Sequence, residues 1–186
     1  METVTAKNLA DWRDWLEKNH LKEDKVFLIK YKKHTGKPII YNKDSMKEAI
    51  CFGWIDTTTR RVDEDRFGIT YVKRNKNSKW SKNTLSYGKE LFEKGLMSPF
   101  GIKMYKEGLA KKPHDEGIPD NPRVPKYLKK ELEKEQVLEN FKKIALSYKR
   151  TLLRWLLRAK QDKTRKKRMK LILQSLKNKQ KLFPAA

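Results

Sequence analysis

Residues 113–125 interrupt the chain, because they contain four prolines and one glycine. Proline lacks a backbone N–H and clashes with the preceding helical turn, so no continuous helix passes through this segment. We predict an α+β domain over residues 1–112, a proline-rich linker over 113–125 and a basic helical region over 126–186. The apolar faces of that last region are few for an independent core, so we expect its two to three helices to dock on the α+β domain.

The region before the linker alternates between helical and strand patterns. Apolar residues three to four positions apart predict helices over residues 10–19, 45–52, 81–94 and 99–112. Runs of β-branched and aromatic residues predict strands over 26–31, 54–62 and 67–73, with an edge strand over 38–41. Asp44 or Ser45 is expected to cap the second helix, and Ser81 or Asn83 the third.

Basic residues concentrate at the C-terminal end of the chain. The 186 residues include 46 lysines and arginines against 23 acidic residues, a formal net charge of +23. Residues 140–186 alone contain 16 basic side chains and one acidic side chain, Asp162. Arg150, Arg154 and Arg158 are spaced i, i+4, i+8 on a predicted helix and therefore share one face. A guanidinium row at that spacing can follow phosphates, because each guanidinium offers paired donors to phosphate oxygens.

This arginine row is part of a larger predicted nucleic-acid-binding surface. The candidate residues are Lys143, Arg150, Arg154, Arg158, Arg165, Lys166, Lys167 and Arg168. Such a surface binds RNA or DNA without reading sequence, and its affinity falls steeply with salt. An anionic membrane surface or an acidic protein are alternative partners, and a basic face is also ordinary solvated surface. We favour nucleic acid over a membrane, because the apolar faces of these helices are needed for helix packing.

The tryptophan-rich centre of the chain gives a second candidate site. Trp54 and Asp56 alternate on a predicted strand and point to the same face. The candidate pocket residues are Trp54, Asp56, Arg74, Trp80, Ser81 and Asn83. Aromatic walls with one carboxylate and one guanidinium suit a small ligand or a stacked base. The structural alternative is that Asp56 pairs with Arg74, the tryptophans fill the core, and Ser81 or Asn83 caps a helix.

Several classes of chemistry lack their sequence signature. The three histidines have no metal-ligand spacing and Cys51 is the one cysteine, so we predict a buried, unreactive thiol, no metal site and no cofactor. The sequence has no P-loop or GxGxxG motif, and we identify no catalytic residues, which disfavours an enzyme. No apolar run approaches the ~20 residues of a membrane span, and no secretory signal is visible. A cytoplasmic location is therefore expected.

Four sequence blocks, read in order, resemble the YdeI/OmpD-associated family, whose members are also described as bacteriocin-protection proteins. The blocks are CFGWID (51–56), SKWSKN (78–83), GLM (95–97) and a C-terminal block with Trp155, Ala159, Lys160, Thr164, Arg165 and Arg168. The second block is compressed relative to the family pattern, and Lys73 replaces the usual proline before Arg74. The resemblance extends from about Trp15 to Leu176.

The resemblance implies links to porin association and to resistance against bacteriocins or cationic peptides. It does not imply direct capture of such peptides by this chain, because two polycations repel each other. The leading hypothesis is a cytoplasmic protein that binds an anionic partner, most simply nucleic acid, through its C-terminal helices. The alternatives are a small-molecule-binding or enzymatic protein that uses the tryptophan-rich pocket, and a stress-resistance protein that acts through a protein partner.

Overall fold

The computed structural model describes residues 1–183, so the last three residues of the predicted 126–186 region lie outside the described residues. The described residues form two compact units, Met1–His114 and residues 115–183. Each unit buries a hydrophobic cluster of its own. The first unit contains a mixed sheet with helices, and the second contains helices alone. This arrangement confirms the predicted α+β class.

The N-terminal unit is organised around a four-stranded sheet. Its strands are β1 (Glu2–Thr5), β2 (Lys25–Tyr31), β3 (Trp54–Arg61) and β4 (Arg66–Lys73), in the spatial order β1-β2-β4-β3. The first pair, β1 and β2, is parallel, and the other two pairs are antiparallel. The pairing of β3 with β4 shifts register between Asp56 and Thr58, as in a β-bulge.

Four helices complete this unit: α1 (Leu9–Asn19), α2 (Asn42–Cys51), α3 (Lys82–Glu93) and α4 (Pro99–Leu109). Trp12 and Leu16, one helical turn apart on α1, are completely buried in the core. Gly101 lets α4 approach the end of α2, because a Cβ atom there would lie 2.0 Å from the carbonyl oxygen of Cys51. The predicted helices therefore form, with bounds shifted by a few residues.

The predicted edge strand over residues 38–41 is wrong, and the sequence reading missed β1. In the structure β2 pairs with β1 on one side and with β4 on the other, so neither edge of β2 is available to residues 38–41. Pro38 has no N–H to donate to a ladder, and Tyr41 instead becomes the N-cap residue of α2. The short β1 has a polar sequence that does not show the alternation of a half-buried strand.

Neither Asp44 nor Ser45 caps α2, contrary to the expectation, because the helix begins earlier, after Tyr41. Ser45 is instead the centre of a buried polar network. Its Oγ accepts hydrogen bonds from Lys30 Nζ at 3.0 Å and from the Tyr71 hydroxyl at 2.9 Å. Lys30 Nζ also donates to Asn42 Oδ1 at 2.6 Å. The network joins α2 to β2 and β4, and it satisfies polar groups that burial would otherwise penalise. Ser81 does cap α3, through a reciprocal capping box with Thr84.

The C-terminal unit contains four helices, not the predicted two to three. They are α5 (Lys126–Lys134), α6 (Leu138–Lys143), α7 (Leu146–Leu157) and α8 (Asp162–Lys177). The additional break follows α5, where Gln136 has a φ of 55°, a left-handed conformation that stops a helix. Leu132, Phe141, Leu156 and Ile172 belong to one buried cluster. These helices therefore have a core of their own, and docking on the first unit stays a prediction.

Replacement of Lys30 by methionine is expected to change how stability depends on pH. Burial lowers the pKa of Lys30 from 10.5 to about 8, against the attraction of Asp56 and Asp44. Between these two pH values the unfolded chain binds more protons than the folded chain, so the wild type gains stability as pH rises. Relative to Lys30→Met, it should gain up to about 3 kcal/mol between pH 7.5 and 10.5 in urea unfolding. A constant difference between the two proteins would contradict this account.

Candidate functional site

Arg154, the middle residue of the predicted arginine row, is an internal clamp. Its Nη2 lies 3.0 Å from Asp115 Oδ2, and its Nη1 lies 2.7 Å from Asp120 Oδ1 and donates to the Pro119 carbonyl at 3.0 Å. Asp115 is 1% exposed, and the side chain of Arg154 is 18% exposed. The guanidinium thus holds the start of the predicted linker against α7 with charge-assisted hydrogen bonds. Little of it remains available to a phosphate.

Two further arginines of the predicted surface, Arg165 and Arg168, also have partners within the C-terminal unit, whereas Arg158 is half-buried. Arg165 pairs with Asp162 at 2.9 Å. Arg168 lies over the Trp155 ring, 4.8 Å from its centroid, and donates to the Trp155 carbonyl. The Nε of Arg158 is buried without a hydrogen-bond partner among residues 1–183, and burial together with repulsion from Arg154 lowers the pKa of Arg158. The contacts of Arg165 and Arg168 connect α8 to the carbonyls of Ala159 and Trp155, at or just after the end of α7.

The remaining predicted residues, Lys143, Arg150, Lys166 and Lys167, are exposed. Two of them belong to a regular row on α8, which we call the α8 stripe: Lys163, Lys166, Lys167 and Lys170. The spacing i, i+3, i+4, i+7 places these four exposed lysines on one side of the helix. Ile172, Leu173 and Leu176 bury the other side. The predicted binding surface did not include Lys163 and Lys170, although their spacing was a sufficient signal.

A concave basin lies at the end of the same unit, where α6, the start of α7 and the end of α8 meet. Its lining residues are Asn140, Lys143, Ile144, Ala145, Ser147, Tyr148, Ser175, Leu176, Lys179, Gln180 and Lys181. Lys143 is the one residue of the predicted site in this basin. Lys179 and Lys181 were missed, because they follow the last helix and no sequence pattern connects them to Lys143.

The structure places three of the six tryptophan-rich candidates, Trp54, Arg74 and Trp80, in the core. Trp54 is completely buried and donates from Nε1 to the His20 carbonyl at 3.2 Å, while Trp80 is also buried. Ser81 caps α3, and Asn83 and Asp56 lie at the surface. Among residues 1–183, no ion pair within 4.0 Å joins Asp56 to Arg74. Partial desolvation raises the pKa of Asp56, against the attraction of Arg74 and Lys30. The pocket itself stays a prediction.

Arg74 is the unusual member of this group. It is 2% exposed, and its guanidinium carbon lies 3.6 Å from the centroid of the Trp80 ring. Nη1 donates to the Lys79 carbonyl at 3.1 Å, but Nε and Nη2 have no partner among the described residues. Burial lowers the pKa of Arg74 to about 10. Buried donors without acceptors are rare, because each one lowers the free energy of unfolding. Nε and Nη2 of Arg74 therefore reduce the stability of the fold.

Cys51 is buried, as predicted, and burial raises the pKa of its thiol to about 11, which makes the thiolate scarce at neutral pH. Within residues 1–183, the structure brings together no group of three or more His, Cys, Asp or Glu side chains suited to hold a metal ion. No helix in the described part of the chain has the length and apolar character needed to cross a membrane.

Arg154→Met should destabilise the C-terminal unit, and Arg150→Met should not. The first change removes the guanidinium that is ion-paired with the buried Asp115, a loss of up to about 3 kcal/mol, whereas Arg150 is exposed on the same helix. Amide hydrogen exchange of α7 measures the local opening free energy in the full chain. Equal protection of α7 in the two variants would contradict the clamp.

Comparisons with known proteins assign the two parts of the chain separately. A family model described as "Bacteriocin-protection, YdeI or OmpD-Associated" matches residues 121–179, which confirms the resemblance for the C-terminal unit. A second model, "Domain of unknown function (DUF8412)", matches residues 4–104 and therefore includes the CFGWID, SKWSKN and GLM blocks. No curated protein and no solved structure matches the chain. Because the second match covers more than half of the 186 residues, the chain belongs to the DUF8412 family, with a YdeI/OmpD-associated region in its C-terminal unit.

Proposed function

We propose that the C-terminal unit binds RNA or DNA without sequence preference, through the α8 stripe and Arg150. The observation that carries this proposal is the row of four exposed lysines on one side of α8. Lysine ammonium groups on flexible stems act as point charges toward phosphates and impose little geometry. Binding of this kind neutralises the phosphate backbone and does not depend on base contacts.

The charges around the stripe support an anionic partner. Asp162 is the one acidic residue of α8, and it is paired with Arg165 on the first turn of the helix. The lysine–glutamate pairs of this unit involve other lysines: Lys129–Glu133, Lys142–Glu139 and Lys177–Glu135. A row of cations that no acidic side chain of its own helix offsets produces a local positive potential, which attracts polyanions and speeds their association.

This proposal narrows the surface expected from the sequence. It keeps Arg150, Lys166 and Lys167 as direct phosphate contacts, it assigns Arg154, Arg165 and Arg168 to contacts within the unit, and it leaves out the half-buried Arg158. The name of the YdeI/OmpD-associated family refers to bacteriocin protection, but a polycationic unit is unsuited to sequester cationic peptides. A cytoplasmic location remains part of the proposal.

Neutralisation of the α8 stripe should weaken binding in a salt-dependent manner. The variant replaces Lys163, Lys166, Lys167 and Lys170 by glutamine. At 50 mM salt it should bind a fluorescein-labelled 20-nucleotide single strand at least tenfold more weakly than the wild type in fluorescence anisotropy. Loss of up to four phosphate contacts should also flatten the slope of log Kd against log salt by about 0.7 per contact.

The matched control removes four exposed lysines from the N-terminal unit: Lys18, Lys22, Lys103 and Lys106, each replaced by glutamine. The net charge falls by the same amount in both proteins, so a purely global charge effect weakens them equally. Equal affinities and equal salt slopes for the two variants would overturn the assignment to α8. Circular dichroism at 222 nm checks that both variants keep their helical content.

A further inference from the structure

The basin near the end of α8 combines an apolar floor with a basic rim. Ile144 and Leu176 contribute aliphatic surface, and Tyr148 contributes an aromatic wall. The lining includes three lysines, Lys143, Lys179 and Lys181. None of the lining residues is acidic. Asn140 and Gln180 add side-chain amides, which both donate and accept hydrogen bonds. A concave site of this composition suits a planar, partly apolar body attached to an anion.

The walls of the basin are held in place before any ligand arrives. The Tyr148 hydroxyl accepts a hydrogen bond from the Leu182 N–H at 2.6 Å, which fixes the ring against the segment that follows α8. Asn140 Nδ2 donates to the Leu176 carbonyl at 3.2 Å, so α6 is tied to α8. The Gln180 N–H donates to the Ser175 carbonyl at 3.0 Å and closes the end of the helix. A preformed cavity loses less conformational entropy on binding.

We propose that this basin receives one unpaired nucleotide of a single-stranded nucleic acid, an inference that rests on the function proposed above. The base lies on the apolar floor against Tyr148, with its polar edges toward Asn140 and Gln180. The adjoining phosphates lie at the rim, near Lys143, Lys179 and Lys181. Stacking of a base on an aromatic wall tolerates any base, so the site adds affinity without adding sequence preference.

If the basin receives an unpaired base, the affinity depends on whether the nucleic acid is single-stranded or double-stranded. In a duplex the bases are stacked and paired, and one can enter the basin only after it is unpaired at an energetic cost. The α8 stripe alone contacts phosphates and does not require an unpaired base. A contribution from the basin therefore predicts tighter binding of a single strand than of a duplex at nearly equal phosphate number and equal salt.

The experiment compares three fluorescein-labelled ligands by anisotropy with the full chain: a 20-nucleotide single strand, the same strand with abasic sites at every position, and a ten-base-pair duplex. Ala145→Trp fills the basin, since Ala145 lines it and has an extended backbone that accepts any side chain. Leu146→Trp is the control, because Leu146 is 80% exposed and lies outside the lining.

We expect the wild type to bind the normal strand about tenfold more tightly than the abasic strand or the duplex. Ala145→Trp should lose that preference and keep its affinity for the abasic strand, whereas Leu146→Trp should behave as the wild type. If Ala145→Trp does not fold, Tyr148→Ala provides the second test, with the same loss of preference expected and with helical content checked by circular dichroism.

Equal binding of normal and abasic strands by the wild type would overturn the basin proposal. Unchanged preference in the basin variant would do the same. Neither result touches the α8 stripe, whose test is the glutamine variant and its salt slope. Failure of that variant to weaken binding would instead overturn the proposed function, so the two failures are distinguishable.

Discussion

The ion pair between Arg154 and Asp115 determines how the basic C-terminal unit is built. A buried carboxylate is costly to desolvate, and it is retained only where a cation and further hydrogen bonds compensate it. Arg154 supplies that cation from the middle of α7, and it also binds Asp120 and the Pro119 carbonyl. Residues 115–120 are consequently fixed to the helix. This part of the proline-rich segment therefore belongs to the C-terminal unit.

The basic side chains of this unit fall into two classes, those with fixed contacts inside the unit and those exposed at its surface. Arg154, Arg165 and Arg168 use their planar, multi-donor groups for carbonyls, carboxylates and the Trp155 ring. The lysines of the α8 stripe and of the basin rim point away from the hydrophobic cluster and lie at the surface or in a concavity. This division follows from chemistry, since arginine is less strongly hydrated than lysine and is suited to fixed, partly buried contacts.

Local sequence patterns predicted most helices and three of the four strands, because caps, turns and apolar spacing are short-range signals. Ser81 was one of two cap candidates indicated by its own neighbourhood, and it is the residue that caps α3. Long-range strand pairing could not be predicted from local patterns. The strand β1 is recognisable only when its partner β2 is known, and the pairing of β1 with β2 also excludes the expected edge strand at residues 38–41. Ser45 has a sequence context typical of a cap, but Lys30 and Tyr71 place it in a buried network.

The basic character of the candidate site was predicted from the sequence, but only some of its residues were. The excess of basic residues located the unit, and the spacing i, i+4 placed Arg150 and Arg154 on one helix, α7, whose C-cap residue is Arg158. Sequence alone does not reveal that Asp115, 39 positions before Arg154, removes the central arginine from the surface. It also does not bring Lys143 together with Lys179 and Lys181, because only the packing of α6, α7 and α8 creates the basin.

Lysine acetylation footprinting with and without a single-stranded oligonucleotide tests the central claim most directly. A water-soluble acetylating reagent modifies exposed amines, and mass spectrometry follows each lysine separately. We predict that the oligonucleotide slows modification of Lys163, Lys166, Lys167 and Lys170 at least threefold at low salt. Lys18, Lys22 and Lys103 in the N-terminal unit should react at unchanged rates. Uniform slowing across both units, or no slowing on α8, would contradict the division of charge proposed for this protein.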